Sequence, residues 1–158
     1  MAERGVERVW ANTWVGLSRI PTLLTGFVAG WAADRFGPKR TMKVVFLTGG
    51  LLTVLLGIGP DSWFVPLVFL QAVCAAAYFP AGFAALSRIG SPKIKNVAVS
   101  LTMPMSIFVG AGVFPAGLGI AGDLGSFSVG FAMVGGFLLA GSLLVPYLEL
   151  GITGQDGR

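Results

Sequence analysis

The chain has 158 residues, of which 54% are hydrophobic and only 11% are charged. Soluble domains carry about a quarter charged residues, so this balance excludes an ordinary water-soluble globule and points to a membrane. The net charge of +4 would suit nucleic acid if it formed a polar face. Here the basic residues fall in short gaps between apolar runs, so no nucleic-acid partner is expected.

In chain order, the opening "MAERGVERVW" lacks the apolar core of a signal peptide. Five apolar runs follow, at about 10–33, 43–60, 63–86, 97–121 and 127–148. A helix crosses the hydrocarbon core with about 20 residues, which four of the runs reach comfortably and the second reaches with its flanks. No run alternates strictly between apolar and polar, which argues against a membrane barrel. The expected fold class is all-α, a polytopic membrane helical bundle of about five transmembrane helices forming one domain over 1–158. The 24 glycines show no fixed period and suit closely packed membrane helices.

The gaps differ in charge. Arg35, Lys39, Arg40 and Lys43 lie between the first two runs, and Arg88, Lys93 and Lys95 between the third and fourth. Together they are seven of the 11 Lys and Arg residues. The other gaps, "GPDSW" and "GDLGS", hold only Asp61 and Asp123. Excess Lys and Arg marks the cytoplasmic side, so the chain is expected in the cell (inner) membrane with its N-terminus outside and its C-terminus inside. An odd number of spans with an outer N-terminus and no leader is the pattern expected of a piece that lacks a first helix.

The gap "GWAADRFGPKR" carries the most information. Gly26 and Gly30 form a small face for close helix contact, and Gly37-Pro38 turns the chain. Asp34 suits a helix N-terminus or an arginine partner, and Arg35, Lys39 and Arg40 suit an anionic membrane surface. The pattern Gly30-x-x-x-Asp34-Arg35-x-Gly37-x-Lys39-Arg40 resembles the signature loop of the major facilitator superfamily, G-x-x-x-D-R-x-G-R-R. Position by position, Pro38 and Lys39 stand where that pattern has its two arginines, with Arg40 following; Lys39 keeps the charge and loses the guanidinium fork. The resemblance implies a secondary transporter of a small solute working by alternating access. It also implies that Gly30, Asp34, Arg35, Gly37, Lys39 and Arg40 serve as a conformational latch. The loop occurs in that family between helices 2 and 3 and, in degenerate form, between helices 8 and 9. The short polar tail after the last run favours helices 8 to 12, part of the C-terminal half. A missing N-terminal half, or a second copy, would then complete the cavity.

Inside the runs polar groups are few. Arg19 is the one embedded charge. It reads either as a cationic contact for an organic anion or as a side chain that snorkels or pairs elsewhere. Gln71 and Tyr78 share a helix face with Cys74 between them. They are candidates to hydrogen-bond a small-molecule substrate, and equally candidates for helix–helix hydrogen bonds. Trp14 reads as an interface aromatic. Gly110-x-Gly112-x-x-Pro115-x-Gly117-x-Gly119 loosely resembles the glycine-proline motif of the family's antiporters, but its spacing departs and close helix packing is expected instead. No Asp or Glu lies deep in a run, so an intramembrane proton-coupling carboxylate is not in this piece. Cys74 is the single cysteine and there is no histidine, so neither a disulfide framework nor a Cys/His metal site is expected. No nucleophile–base pair or cofactor motif suggests an enzyme. A small non-transporting membrane subunit or scaffold is the alternative reading.

Overall fold

In a computed structural model, described at residues 8–89, 92–148 and 150, all regular structure is helical. Helix α1 covers Arg8–Leu17, α2 Ile20–Phe36, α3 Pro38–Ile58 and α4 Phe64–Leu86. Helices α5 (Pro92–Ile107) and α6 (Phe114–Asp123) are joined without a gap by a π-helical stretch, Phe108–Val113. Helix α7 covers Phe127–Leu144 and ends in a 3₁₀ turn at Val145–Tyr147. Four helical segments, Pro38–Ile58, Asp61–Leu86, Asn96–Asp123 and Phe127–Tyr147, are long and apolar enough to cross a membrane.

The boundaries follow local chemistry. Pro38 sits at the start of α3, where its missing N–H would have had no partner in any case. Ser126 caps α7, its Oγ accepting from the Val129 N–H at 3.4 Å. Gly59-Pro60 and the 3₁₀ turn Asp61–Trp63 make the short, charge-poor connection expected from "GPDSW". Pro80 lies within α4 without ending it.

The first run departs from the expectation of one span. It folds as α1 and α2, of 10 and 17 residues, which meet at Ser18 and Arg19. At about 1.5 Å per residue, α2 alone is roughly 26 Å long, short of the hydrocarbon thickness. Pro21 explains the break, because it has no N–H for the Leu17 carbonyl and crowds the residue before it. The backbone answers by tightening: the Arg19 N–H bonds Gly16 O at 3.1 Å, a three-residue step. Ser18, almost wholly buried, turns its hydroxyl to Val15 O at 2.8 Å.

Packing relies on small residues. Gly50, Thr53 and Gly57 of α3 and Gly130, Gly135 and Ser142 of α7 are buried; Gly50 faces Gly135, Gly57 faces Ser128 and Phe131, and Gly130 faces Leu118 and Ala121 of α6. The buried hydroxyls of Thr53 and Ser142 bond carbonyls of their own helices, Gly49 O at 2.7 Å and Leu139 O at 2.6 Å. A core of Ala33, Met42, Ala81, Ala85 and Val145 closes one end of the bundle, where α2, α3, α4 and the end of α7 converge. The signature loop lies at that end. Helix α1 joins through Trp14, edge-on to Phe69 of α4 with centroids 6.2 Å apart.

The 96–123 helix differs. None of its most apolar window is buried, and Gly110, Gly112, Gly117 and Gly119 have no atom within 4 Å of a would-be Cβ. The close packing expected of that glycine run is therefore absent among the described residues. The reason is positional: this helix touches α7 mainly through Leu118 and Ala121, which meet Gly130.

Candidate functional site

Two constellations stand out, the loop between α2 and α3 and a cavity inside the bundle. In the loop, Gly37 takes φ 87° and ψ 145°, a conformation that costs a side-chain-bearing residue. Its carbonyl then accepts from both the N–H and the hydroxyl of Thr41, at 3.2 and 3.1 Å, fixing the first turn of α3. Gly30 faces α4, where its would-be Cβ lies 3.9 Å from Pro80 Cβ, whereas Gly26 faces open space. The small face thus has one working member.

Lys39 is half-buried, and its Nζ donates to the carbonyl of Pro146 at 3.2 Å. That carbonyl belongs to the last turn of the α7 segment, where the helix dipole and unsatisfied carbonyls favour a cation. The loop is thereby tied to the end of α7, a contact between residues 107 positions apart. Asp34, Arg35 and Arg40 are exposed, and their side chains make no hydrogen bond or ion pair among the described residues. The partner expected for Asp34 is not among them.

Lys39→Ala is expected to lower stability by about 1 kcal/mol, the net worth of one partly exposed charge-assisted bond. It should also speed amide hydrogen exchange at Tyr147 and Leu148, while Lys39→Arg preserves protection. Unchanged exchange in Lys39→Ala would remove the clamp.

The cavity, of about 460 Å³, lies between α3, α4, the 96–123 helix and α7. It brings Gln71 and Tyr78 onto one wall with Cys74, as their shared helix face predicts. Phe46 stacks edge-on against Tyr78 at 5.1 Å, and Phe114 against Phe137 at 5.2 Å. Cys74 is engaged by α3, its Sγ 3.1 Å from Thr48 Oγ1 and 3.4 Å from Val45 O. The wall is therefore aromatic and apolar with an amide, a phenol and the Ser106 hydroxyl, and it carries no charged side chain. Such a lining can hold a small solute by shape and one or two hydrogen bonds.

Arg19 does not line this cavity. It stands exposed at the α1–α2 break, where Thr22 donates its hydroxyl to the Arg19 carbonyl. The three candidate solute contacts thus divide into Gln71 with Tyr78 and Arg19 apart. Sequence reasoning missed the opposite wall, Ser106, Phe114 and Phe137, whose aromatics are indistinguishable by pattern from lipid-facing ones. It also missed the break; Pro21, three residues after Ser18, was its available signal. Among the described residues no His/Cys/Asp/Glu group could hold a metal.

Several apolar helices long enough to span, joined by short turns and packed through small residues, define a multi-pass membrane protein of the helical-bundle class. The chain belongs to the Major Facilitator Superfamily, which it matches over residues 5–152. This is the family that the signature loop resembles, one of transport proteins rather than enzymes. Over 83 residues the chain is 32% identical to membrane sensor protein UhpC of Salmonella typhimurium. That match covers 50% of this chain but only 17% of the relative's length. No solved structure matches.

Proposed function

We infer that the chain works as part of a secondary transporter, corresponding to helices 8 to 12, which moves a small solute by alternating access. The family match over nearly the whole chain, with its signature loop at the α2–α3 turn, carries this reading. In such proteins two helical halves rock about a site near the bilayer midplane. A second half, or a second copy, would complete the cavity. Lys39 and its neighbours Gly30, Asp34, Arg35, Gly37 and Arg40 would form the latch, with Asp34 and Arg35 left exposed for partners on the opposing half. On this reading the loop and the C-terminus lie at the cytoplasmic face of the inner membrane and the N-terminus outside, which the basic gaps support.

An organic anion is the favoured solute. Arg19 supports this, as an exposed cation at a broken membrane helix, the kind of element that builds transporter sites. Gln71 and Tyr78 would supply neutral hydrogen bonds. Uptake of radiolabelled small carboxylates and phosphate esters by native membrane vesicles tests the assignment. Arg19→Gln should raise the half-saturating concentration at least tenfold, the equivalent of about 1.4 kcal/mol. An unchanged value, with equal protein in the membrane, would rule out the anion contact.

A second reading is a non-transporting membrane protein that senses a solute or supports a partner, and the resemblance to a protein named a membrane sensor favours it. Solute binding without accumulation against a gradient would select it.

A further inference from the structure

On the outside of the bundle, α2 and α3 diverge from the Gly37 turn and leave a groove of about 530 Å³. Val28, Ala32 and Phe36 of α2 form one wall, Val44 of α3 the other, and Ala77 of α4 the floor. The groove runs along α2 from Thr25 to Phe36, roughly 16 Å at 1.5 Å per residue. That is about the depth of one leaflet's hydrocarbon. Its two hydroxyls are satisfied within their own helices: Thr25 donates to Pro21 O at 3.0 Å and Thr41 to Gly37 O at 3.1 Å. Arg40 lines the loop end with its aliphatic stem, and its exposed guanidinium, beyond the apolar groove, has no hydrogen bond or ion pair among the described residues.

We propose that this groove is a binding site for an anionic phospholipid, with one acyl chain along Val28, Ala32 and Val44 and the phosphate held by Arg40. The two ends of the groove match the two ends of such a molecule. A guanidinium presents a planar fork to phosphate oxygens and holds them in two parallel bonds. Arg35 and Lys43 are exposed at the same end and add to the positive field, with Asp34 the acid beside them. A second copy of the chain is a poor occupant. Lying the same way up in the membrane, it would bring its own basic loop to the depth of Arg40. A helix is also about 10–12 Å across with its side chains, so it would lie over this groove rather than within it. The bound lipid would brace α2 against α3 beside the latch loop, whatever solute is carried.

Native mass spectrometry of the purified chain tests the site, in detergent micelles doped with dioleoyl phosphatidylglycerol or dioleoyl phosphatidylcholine. The unaltered chain should retain the anionic lipid about fivefold more than the zwitterionic one, as expected for one basic residue at a membrane surface. Arg40→Ala should abolish the preference, Arg40→Lys should keep part of it, and Ala32→Phe, which fills the groove, should reduce retention of both lipids. A photoreactive side chain at Val28, in the otherwise unaltered chain, should cross-link to lipid and thus reports even if Arg40→Ala fails to fold. Equal retention of the two lipids by the unaltered chain, a preference that survives Arg40→Ala, or cross-links to protein in place of lipid would each overturn the proposal.

Discussion

Gly135→Ala is expected to be among the most damaging single-methyl additions in the chain, while Gly136→Ala at the next position is expected to be harmless. A Cβ at Gly135 would lie 2.8 Å from both Gly50 O and Val54 N, and 2.5 Å from Val54 Cγ2. The approach is mutual, since a Cβ at Gly50 would lie 3.0 Å from Gly135 O. Further along, a Cβ at Gly57 would meet Ser128 O at 2.8 Å. Two of the three obstacles at Gly135 are backbone atoms, which cannot rotate away as a side chain does. The helices must separate, and overpacking of this kind costs about 1–3 kcal/mol, with the upper end expected here. Gly136 has nothing within 4 Å, so alanine there gains up to about 1 kcal/mol of helix propensity. Thermal unfolding of the two variants in detergent micelles, with helicity followed by circular dichroism, should place their midpoints on opposite sides of the parent. Equal midpoints would mean that α3 and α7 are not in close contact.

The contact matters because apolar surface alone does not drive helices together in lipid; close van der Waals approach does. The small residues of α3 and α7 provide that approach, and the 96–123 helix makes it only near its α6 end, where Leu118 and Ala121 meet Gly130. One side of the bundle is thus a fixed pair, and the other is a long helix with a π-helical stretch, held mainly at its α6 end. Stretches of that kind are frequent at functional sites, and this one contributes Val109 and Gly110 to the cavity wall.

Much of this was legible in the chain itself. Apolar length and the placement of Lys and Arg are one-dimensional facts, so the last four apolar runs coincide closely with helical segments long and apolar enough to cross a membrane. Gln71 and Tyr78, seven residues apart, share a face by helix geometry alone and do reach one cavity. The first span was less legible, because proline is tolerated in membrane helices as often as it breaks them, and nothing local separates Pro21 from Pro80. Pro80 stays within α4, where Gly30 leaves room beside its ring; Pro21 ends a helix. Contacts between distant segments were not legible at all. The lysine that replaces arginine in the signature loop bonds Pro146 across 107 positions, and no local pattern marks a carbonyl as its acceptor.

Gly37→Ala is expected to weaken both the fold and the proposed latch, and the two effects can be separated. Gly37 has no atom within 4 Å of a would-be Cβ, so crowding is not the obstacle. The obstacle is φ 87° with ψ 145°, a combination close to the region open essentially to glycine alone, which costs other residues about 1–3 kcal/mol. Alanine would relax toward negative φ and rotate the Gly37 carbonyl away from Thr41, undoing the two bonds that hold the first turn of α3. Lys39 lies in that turn, so its bond to Pro146 would go with it. Gly125 is the matched control: its φ is 84°, it too has open space around it, and it lies in the α6–α7 turn. Gly125→Ala should therefore lower the unfolding midpoint by a similar amount while leaving exchange at Tyr147 and Leu148 unchanged. Gly37→Ala should lower the midpoint, speed that exchange, and reduce solute uptake by vesicles beyond what the loss of folded protein explains. If both variants slow uptake equally at equal folded protein, the loop is a turn and no more. If only Gly37→Ala does, strain at one glycine and the charge two residues beyond it act as one device.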